Sequence, residues 1–474
     1  LGLRLTWEKR YITLGPVATI IGLAFRLKDP EQHLGGAEDR GITCALLPAN
    51  LPGIEIGKRH DPLGVPFLNG PNSGKDVFVP LDFIIGGPKM AGQGWRMLME
   101  CLAAGRSISL PALATASAQM ATRVAGAYAT VRQQFDTPIG KFEGIEERLA
   151  RIGGLTYLMN GARVLTAGAV DSGEKPSVLS AVVKAYLTES MRFVVNDAMD
   201  IQAGAGICRG PRNTMARSYM AVPIGITVEG ANILTRSMII FGQGAIRCHP
   251  FAREEMTAVA AQDLVRFDRA FFGHMAFIFR NAARAWFQGM TGARLVSTGL
   301  GGLPGRYLQK FTRASAAFAL VSDAAMASLG GTLKRREKIS GRLADVLAWL
   351  YLGSAAVKKF VDDGRPAADR PFLRWACDHA LFNIQEAFRG LIDNFPNRLL
   401  ASKLCAIIFQ LGARQRPPSD ALGAELARAL LENREERLRL SADIFVPPSG
   451  ELGLGLLEKA LAKIVPAMAV ERKI

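Results

Sequence analysis

The chain has 474 residues, of which 49% are hydrophobic, enough for sizeable cores and about two or three domains. Its six cysteines lie far apart and its five histidines are scattered, so we expect neither a disulfide framework nor a metal site. No uninterrupted apolar run approaches the ~18–20 residues of a membrane span. The net charge of +16 is spread along the chain and is compatible with a phosphate-bearing ligand, an anionic membrane surface or nucleic acid as partners, although a generally basic solvated surface is the simpler interpretation.

Residues 1–88 have the pattern of a β domain, in which Gly and Pro clusters separate short runs of β-forming residues. We predict strands at 3–7, 11–14, 17–25, 42–47, 54–56 and 76–80. The run at 17–25 is the most apolar and predicts a buried strand. On the strand at 11–14, Tyr11 and Thr13 are two residues apart and therefore face the same side.

From residue 91 the spacing of apolar residues becomes helical. Long helices are predicted at 95–130, 143–169 and 178–207, and the short breaks between them favour an antiparallel bundle. A second helical region at 251–474 carries predicted helices at 256–288, 314–328, 340–361 and 375–391. The basic run at 334–338 leaves contact with a membrane surface open, although a helix end is the simpler interpretation.

The segment 221–246 contains one acid, Glu229, and one base, Arg236, among apolar and small residues. Desolvation is expected to raise the pKa of such a carboxyl group towards the range where it exchanges a proton reversibly. Gly230 lets other backbone or a flat ring approach closely. On spacing alone, a structural ion pair between Glu229 and Arg236 remains the simpler interpretation.

A short helix is predicted directly after this acid. Asn232 suits its N-cap, and Gly242 suits its end. We expect the apolar residues Ile233, Leu234, Ile240 and Phe241 to be buried.

Residues 228–236, Val-Glu-Gly-Ala-Asn-Ile-Leu-Thr-Arg, resemble the catalytic segment of the acyl-CoA dehydrogenases, especially the bacterial FadE type. In that family the glutamate removes the α-proton of an acyl thioester while the β-hydride passes to FAD. The resemblance assigns the role of the base to Glu229. It places Gly230 beside the substrate and Ala231 beside the cofactor.

Two further segments carry the resemblance. Tyr11-Ile12-Thr13 is similar to the family's Trp-Ile-Thr, which packs on and hydrogen-bonds the flavin ring, with Tyr in place of Trp. Arg106 matches an arginine that lines the acyl-CoA site, although Ala103 stands where the family often has an acid. The resemblance therefore implies cofactor contacts from Tyr11, Ile12 and Thr13 and a substrate contact from Arg106.

The motif at 132–139 resembles the family's R-x-x-F-G-x-x-I, which implies that Arg132 and Phe135 contact FAD across a dimer interface. Asp136 replaces the usual glycine.

The segment 200–206 resembles the family's Q-x-x-G-G-x-G loop around the adenine end of FAD. Asp200 stands for the Gln and Ala203 for the first Gly, whereas Gly204 and Gly206 remain. The resemblance places Asp200, Gly204 and Gly206 at the cofactor.

The implied fold is α+β, mostly α. It has a partial small β-domain at 1–88, a four-helix bundle domain with the catalytic Glu at 89–250, and a helical C-terminal extension of the FadE type at 251–474. The N-terminal helical domain and the early β-domain, with the loop that holds the flavin phosphates, are expected to lie outside this sequence. The chain alone is therefore expected to retain little FAD.

The expected activity is FAD-dependent oxidation of medium- to long-chain saturated acyl-CoA to trans-2-enoyl-CoA, in the first step of fatty-acid β-oxidation. Electrons would pass to an electron-transferring flavoprotein. We expect a cytoplasmic homodimer or larger homo-oligomer, with inner-membrane association left open, and neither a metal nor a nucleic-acid partner. Two alternatives remain: an acyl-CoA oxidase of the same fold, and a non-catalytic basic homologue that binds nucleic acid or a membrane.

Overall fold

The computed structural model describes residues 1–244, 248–432 and 434–471. The chain folds into two compact units, Leu1–Ala104 and Gly105–Ile474, and each unit has its own hydrophobic core. The fold is mostly α with small sheets, which confirms the predicted fold class.

The first unit is built around antiparallel strands. They are β1 Gly2–Thr13, β2 Ile20–Lys28, β3 Asp39–Pro48, β4 Ile54–Ile56 and β5 Asn69–Pro80. β5 lies between β1 and β4, whereas β2 pairs with β3 in a separate sheet. Leu3, Leu5 and Trp7 are buried in the core because alternate side chains of β1 point to the same face.

Two strand predictions are wrong in their bounds. The runs at 3–7 and 11–14 belong to one strand, β1, because two irregularities in its pairing with β5 bend the strand without ending it. The run at 17–25 does not begin as a strand, since Gly15–Val17 forms a short 3-10 turn and β2 starts at Ile20. Nor is that strand buried throughout: Ile20 is 62% exposed, whereas Ile21 on the opposite face is buried.

The second unit is helical. Its N-terminal helices are α1 Gly94–Val131, which begins in the first unit, α2 Glu143–Asp171, α3 Ser177–Gln202, α4 Gly204–Ile207, α5 Ala216–Thr227 and α6 Asn232–Leu234. A π-helix, Thr235–Gln243, continues α6. Between α1 and α2, a tight hairpin pairs β6, Gln133–Gln134, with β7, Thr137–Pro138.

The later helices follow, and all of them except the first contribute buried residues to the same core. They are α7 Ala252–Ala260, α8 Leu264–Met290, α9 Gly302–Leu329, α10 Glu337–Asp362, α11 Arg370–Asp393, α12 Arg398–Ile408, α13 Asp420–Leu430, α14 Glu435–Leu440 and α15 Leu454–Glu471. α2 packs against α3, α10 and α13. Residues on both sides of position 250 thus bury their apolar side chains together, and the three-domain division of the chain stays a prediction.

Two helix predictions are wrong because the chain breaks within them. The run at 178–207 divides at Ala203, whose φ of 47° cannot continue a helix. The run at 256–288 divides between α7 and α8. There the Asp263 side chain accepts a hydrogen bond from the Arg266 backbone N–H and caps α8.

Two helices in the described chain are long and apolar enough to cross a bilayer by length and composition, namely Gly94–Val131 and Gly302–Arg335. Their most apolar windows are 35% and 44% buried inside the protein, and core helices of soluble proteins pass the same test. The criterion of an uninterrupted apolar run excludes both, because polar residues such as Arg106 and Asp323 interrupt them.

Candidate active site

Glu229 lies in the turn between α5 and α6, which we call the Glu229 turn (Val228–Ala231). Glu229 and Gly230 both have left-handed backbone, with φ of 55° and 94°. Glycine adopts this conformation freely, but for Glu229 it costs on the order of 1–3 kcal/mol and persists only where surrounding contacts impose it. The contacts that impose it come from Arg106 of α1 and Lys184 of α3.

Arg106 holds the turn through its backbone. The side chain is 7% exposed, and its Nε donates a hydrogen bond of 2.7 Å to the Glu229 carbonyl oxygen. Arg106 was predicted to line the substrate site, and the structure places it beside the predicted base.

Lys184 is fully buried and holds the same turn from inside the helical unit. Its Nζ donates to the carbonyl oxygens of Ile226 at 3.0 Å and Gly230 at 2.7 Å, and to Asn232 Oδ1 at 2.8 Å. These acceptors match the three donors of an ammonium group. Lys184 thereby ties the end of α5 to the start of α6, and we call Arg106 and Lys184 together the cation clamp.

The predicted helix cap is wrong. Ala231 occupies the N-cap position, and Asn232 is the first residue of α6. The Asn232 side chain is buried instead, because its Oδ1 accepts from Lys184 while its Nδ2 donates to Thr188 Oγ1 at 2.9 Å and Glu189 Oε1 at 3.0 Å.

The predicted helix itself is only partly correct. Ile240 and Phe241 are buried as expected, but Ile233 is 85% exposed and Leu234 is also exposed. The helix does not end at Gly242, since the π-helix continues through Gln243. Residues 245–247 lie outside the described residues.

Arg236 does not form the simple ion pair with Glu229 in the described chain. Its Nε donates to Asp345 Oδ1 at 2.7 Å, and Tyr186 Oη donates to the same oxygen at 2.6 Å. The positive charges that act on the Glu229 carboxylate are therefore those of the cation clamp, Arg106 and Lys184.

The electrostatics of the turn suit a proton acceptor. Burial raises the pKa of the half-buried Glu229 carboxyl, although the charges of Arg106 and Lys184 act to lower it. Glu229 Oε2 has no hydrogen-bond partner among the residues that the structure describes. A Cβ at Gly105 would lie 3.6 Å from both carboxylate oxygens, so the absence of a side chain there leaves the carboxylate room.

The same desolvation acts on the clamp. Burial and, to a lesser extent, the neighbouring Arg106 charge lower the pKa of Lys184 to about 8, although Glu229 and Glu189 act to raise it. Sequence reasoning missed this residue. Its signal was a lone lysine in the apolar stretch 181–187, Ala-Val-Val-Lys-Ala-Tyr-Leu.

Arg132, Phe135 and Asp136 belong to the β6–β7 hairpin. Phe135 and Asp136 form its two-residue turn with φ of 51° and 56°, as in a type I′ turn. The left-handed backbone explains why the family motif has glycine at the position of Asp136, since Asp tolerates this conformation less well than Gly. Phe135 is 90% exposed and Arg132 is also exposed, so both side chains are accessible to solvent in this chain.

The predicted adenine loop lies at the break between α3 and α4. Asp200 and Gly204 are exposed, and a Cβ at Gly204 would meet nothing within 4 Å. Gly206 is buried, and a Cβ there would lie 2.6 Å from the Met199 carbonyl oxygen. Among the described residues, neither this loop nor the hairpin is hydrogen-bonded to Glu229.

In the first unit, Tyr11 and Thr13 are both exposed and share one face of β1, as predicted, whereas Ile12 is half-buried. The Tyr11 ring is 70% exposed and lies 5.4 Å from the His60 ring, centroid to centroid. An open aromatic and hydroxyl face is therefore available on this strand.

Two family models match the chain. Residues 92–242 match the acyl-CoA dehydrogenase C-terminal domain, and residues 246–474 match the bacterial-type acyl-CoA dehydrogenase C-terminal region. The chain belongs to the acyl-CoA dehydrogenase family, which consists of FAD-dependent oxidoreductases. The family inferred from the sequence is confirmed.

One curated relative that carries the family name matches much of the chain, and another matches a shorter stretch. "Probable acyl-CoA dehydrogenase FadE10" of Mycobacterium tuberculosis is 28% identical over 404 residues, covering 81% of this chain and 60% of that protein. Protein HemX of Proteus mirabilis is 61% identical over 104 residues, covering 22% of this chain and 61% of that protein. The chain thus spans about three-fifths of the length of these relatives.

Among solved structures, the fold is similar to that of an acyl-CoA dehydrogenase from Bacillus anthracis that was crystallised with FAD. The TM-score is 0.67 at 18% identity, covering 90% of this chain and 70% of the other. At this identity the similarity establishes a shared fold.

Proposed function

We propose that this chain forms the catalytic part of an FAD-dependent acyl-CoA dehydrogenase that converts medium- to long-chain saturated acyl-CoA into the trans-2-enoyl-CoA. The observation that carries the proposal is the Glu229 carboxylate. It has an unpartnered oxygen, a pKa raised by burial, and a backbone fixed by two buried cations.

The α-hydrogen of a thioester is weakly acidic, so its removal needs a base held in position. Glu229 would take this proton on Oε2, the oxygen that lacks a partner in the described chain. The cation clamp would hold the carboxylate in place without neutralising it by a direct hydrogen bond, because both cations bind backbone or amide oxygens. A backbone N–H of the Glu229 turn would donate to the thioester oxygen as negative charge develops there.

Bound FAD would supply the acceptor for the β-hydride. The residues present fit this cofactor. Tyr11 and Thr13 offer an open aromatic and hydroxyl face, and Arg132 offers an exposed guanidinium fork of the kind that binds diphosphate. Gly204 leaves open space at the predicted adenine loop.

Phe135 bears on the quaternary structure. A phenyl ring that is 90% exposed at a hairpin tip would be covered in a homodimer, where it would contact the partner's cofactor as the family resemblance implies. We further propose an electron-transferring flavoprotein as electron acceptor and a cytoplasmic location.

The test is the absorbance spectrum of the full-length protein loaded with FAD, recorded without oxygen before and after addition of octanoyl-CoA or palmitoyl-CoA. Bleaching of the flavin band is expected. A flavin that stays bound and oxidised with every chain length would contradict the proposal. Fast reoxidation by air would identify an oxidase instead, and unbleached protein that binds DNA or liposomes in a salt-dependent way would identify a non-catalytic binder.

A further inference from the structure

A cavity of about 330 Å³ lies in the helical unit, between α3, the π-helix, α8, α9 and α10. That volume falls within the ~300–1,000 Å³ of small-molecule sites. None of the described residues that line it belongs to the Glu229 turn or the cation clamp. Most of its wall is apolar and includes Leu179, Ile240, Phe277, Phe318, Met326 and Leu347.

One end of the cavity is polar, and Asp323 dominates it. Asp323 is 3% exposed; its Oδ1 accepts a hydrogen bond of 2.9 Å from His249 Nε2. Its Oδ2 and the neighbouring Ser322 Oγ have no hydrogen-bond partner among the described residues. Such a buried acceptor needs a donor, because leaving it unpaired is costly.

The same corner groups His249, His274 and Asp323, whose ligating atoms lie within 4.8 Å of one another. The hydrogen bonds argue against a metal ion there. His249 Nδ1 accepts from the backbone N–H groups of Phe251 at 3.2 Å and Ala252 at 3.0 Å. A neutral imidazole has one donor and one acceptor, so Nε2 carries the proton and has no lone pair for a metal.

His274 also lies next to Asp323, on the same side as His249. Its Nδ1 lies 2.8 Å from Glu255 Oε1, and its Nε2 lies 3.6 Å from Asp323 Oδ1. Both histidines thus face Oδ1. Of the two carboxylate oxygens, Oδ2 is the one left for a ligand.

We propose that this cavity binds a small apolar molecule that ends in a hydroxyl or amino group. The donor of that group binds Asp323 Oδ2, and the apolar body lies along the wall formed by α8 and α9. A carboxylate at this end repels an anionic head group, so the site selects against free fatty acids. It is separate from the proposed acyl-CoA site.

The test compares 1-octanol, octylamine and octanoate by isothermal titration calorimetry on the full chain, since their apolar bodies have similar length. We expect saturable one-to-one binding of the alcohol or the amine, and binding of the acid weaker by about tenfold, the scale of one hydrogen bond to a charged group. The stronger of the first two identifies the head group. Failure of all three to bind saturably would overturn the proposal and leave the proposed function unaffected.

Two variants locate the site. Asp323→Asn keeps the shape, but its amide oxygen must face His249 Nε2–H, so its NH₂ group takes the place of Oδ2. The acceptor then becomes a donor, and the preference should move towards octanoate by about tenfold. Ala319→Phe places a ring in the cavity and should abolish binding of all three.

Asp378→Asn is the matched control. It changes a partly buried acid that accepts a hydrogen bond from Tyr307 and is not among the described residues lining the cavity, and binding should be unchanged. Alcohol or amine binding that survives both Asp323→Asn and Ala319→Phe would overturn the assignment. So would one-to-one Zn²⁺ binding that Asp323→Asn removes, since the corner would then be a metal site. If Ala319→Phe fails to fold by circular dichroism, the change of preference in Asp323→Asn decides.

Discussion

Lys184 is the residue on which the geometry of the Glu229 turn most depends. A fully buried ammonium group is costly, and its lowered pKa of about 8 records that cost. The cost is offset by three hydrogen bonds that join α5, the turn and α6. Without these three hydrogen bonds, the hydrogen bond from Arg106 to the Glu229 carbonyl oxygen would remain to hold the left-handed backbone of the turn.

Lys184 should make stability depend on pH. Its folded pKa of about 8 lies below the unfolded value of about 10.4, so the unfolded state binds more protons between these values. The Lys184 contribution to the unfolding free energy should therefore rise by about 2 kcal/mol from about pH 7.5 to 9.5. Because burial raises the pKa of the Cys377 thiol and so acts in the opposite direction over this range, the contribution is read as the difference between the unaltered protein and a Lys184 variant. Urea titrations at several pH values measure it.

Lys184→Met removes the titrating group, so the unfolding free energy of this variant should lack that rise. Lys358→Met, which removes an exposed lysine of α10, should keep it. A variant at position 184 with the same pH dependence as the unaltered protein would contradict the lowered pKa.

Arg106 should set the pH at which Glu229 becomes active. The Arg106 charge acts to lower the pKa of Glu229, so Arg106→Gln should raise it. The acid limb of the flavin-reduction rate against pH should move to higher pH in the FAD-loaded protein, with Arg389→Gln on the exposed surface of α11 as the control. A limb that stays in place or moves to lower pH would argue against Glu229 as the titrating base.

At the scale of elements, the break between α3 and α4 is followed by one glycine that is closely packed and one that is not. The two glycines of α4 differ in their surroundings, since a Cβ at Gly206 would meet the Met199 carbonyl oxygen at 2.6 Å and one at Gly204 would meet nothing. Gly206 is therefore constrained by helix packing, whereas Gly204 faces open space that a ligand could occupy.

Gly206→Ala should lower the unfolding free energy by about 1–3 kcal/mol, because backbone must shift to admit the methyl group. Gly204→Ala should change it by less than about 0.5 kcal/mol, as surface changes do. If Gly204 contacts FAD, its variant should nevertheless retain less cofactor, measured as flavin absorbance per protein. Equal stability losses at the two positions would contradict the packing argument.

Sequence reasoning located the long elements because their apolar periodicity is strong. The prediction of a helix at 143–169 lies within the observed α2, Glu143–Asp171. The break at Ala203 had no such signal, since alanine rarely adopts positive φ. The split before α8 did have one, because Asp263 is a typical N-cap residue.

The candidate site was predictable in its acid and one of its cations, Glu229 and Arg106, because the family motifs contain both. The role of Lys184 and the burial of the Asn232 side chain were not predictable, because both depend on the packing of α3 against α5 and the π-helix. The partner of Arg236, Asp345, lies 109 residues away in the sequence, beyond the reach of any spacing rule.

At the scale of the whole molecule, the two units have separate hydrophobic cores and should respond separately to core substitutions. Leu47 is fully buried in the first core and Leu343 in the second. Replacing either leucine by alanine should cost its own unit about 2–5 kcal/mol.

Differential scanning calorimetry measures this, since a molecule of two units does not unfold as one two-state system. Leu47→Ala should lower one transition and Leu343→Ala the other. If both variants lower a single shared transition equally, the two units unfold together and the separation into two cores has no thermodynamic meaning.

The proposed function depends above all on Glu229 acting as the base of a flavin-dependent dehydrogenation. The direct measurement is the rate at which acyl-CoA bleaches the flavin of the Glu229→Gln protein in an anaerobic stopped-flow experiment, with flavin content measured in parallel. Glu189→Gln serves as the matched control, because Glu189 contacts Asn232 but not the Glu229 turn. We expect normal flavin content and a rate lowered roughly 10²–10⁴-fold in Glu229→Gln, with a near-normal rate in the control. A Glu229→Gln protein that bleaches at the normal rate would contradict this role.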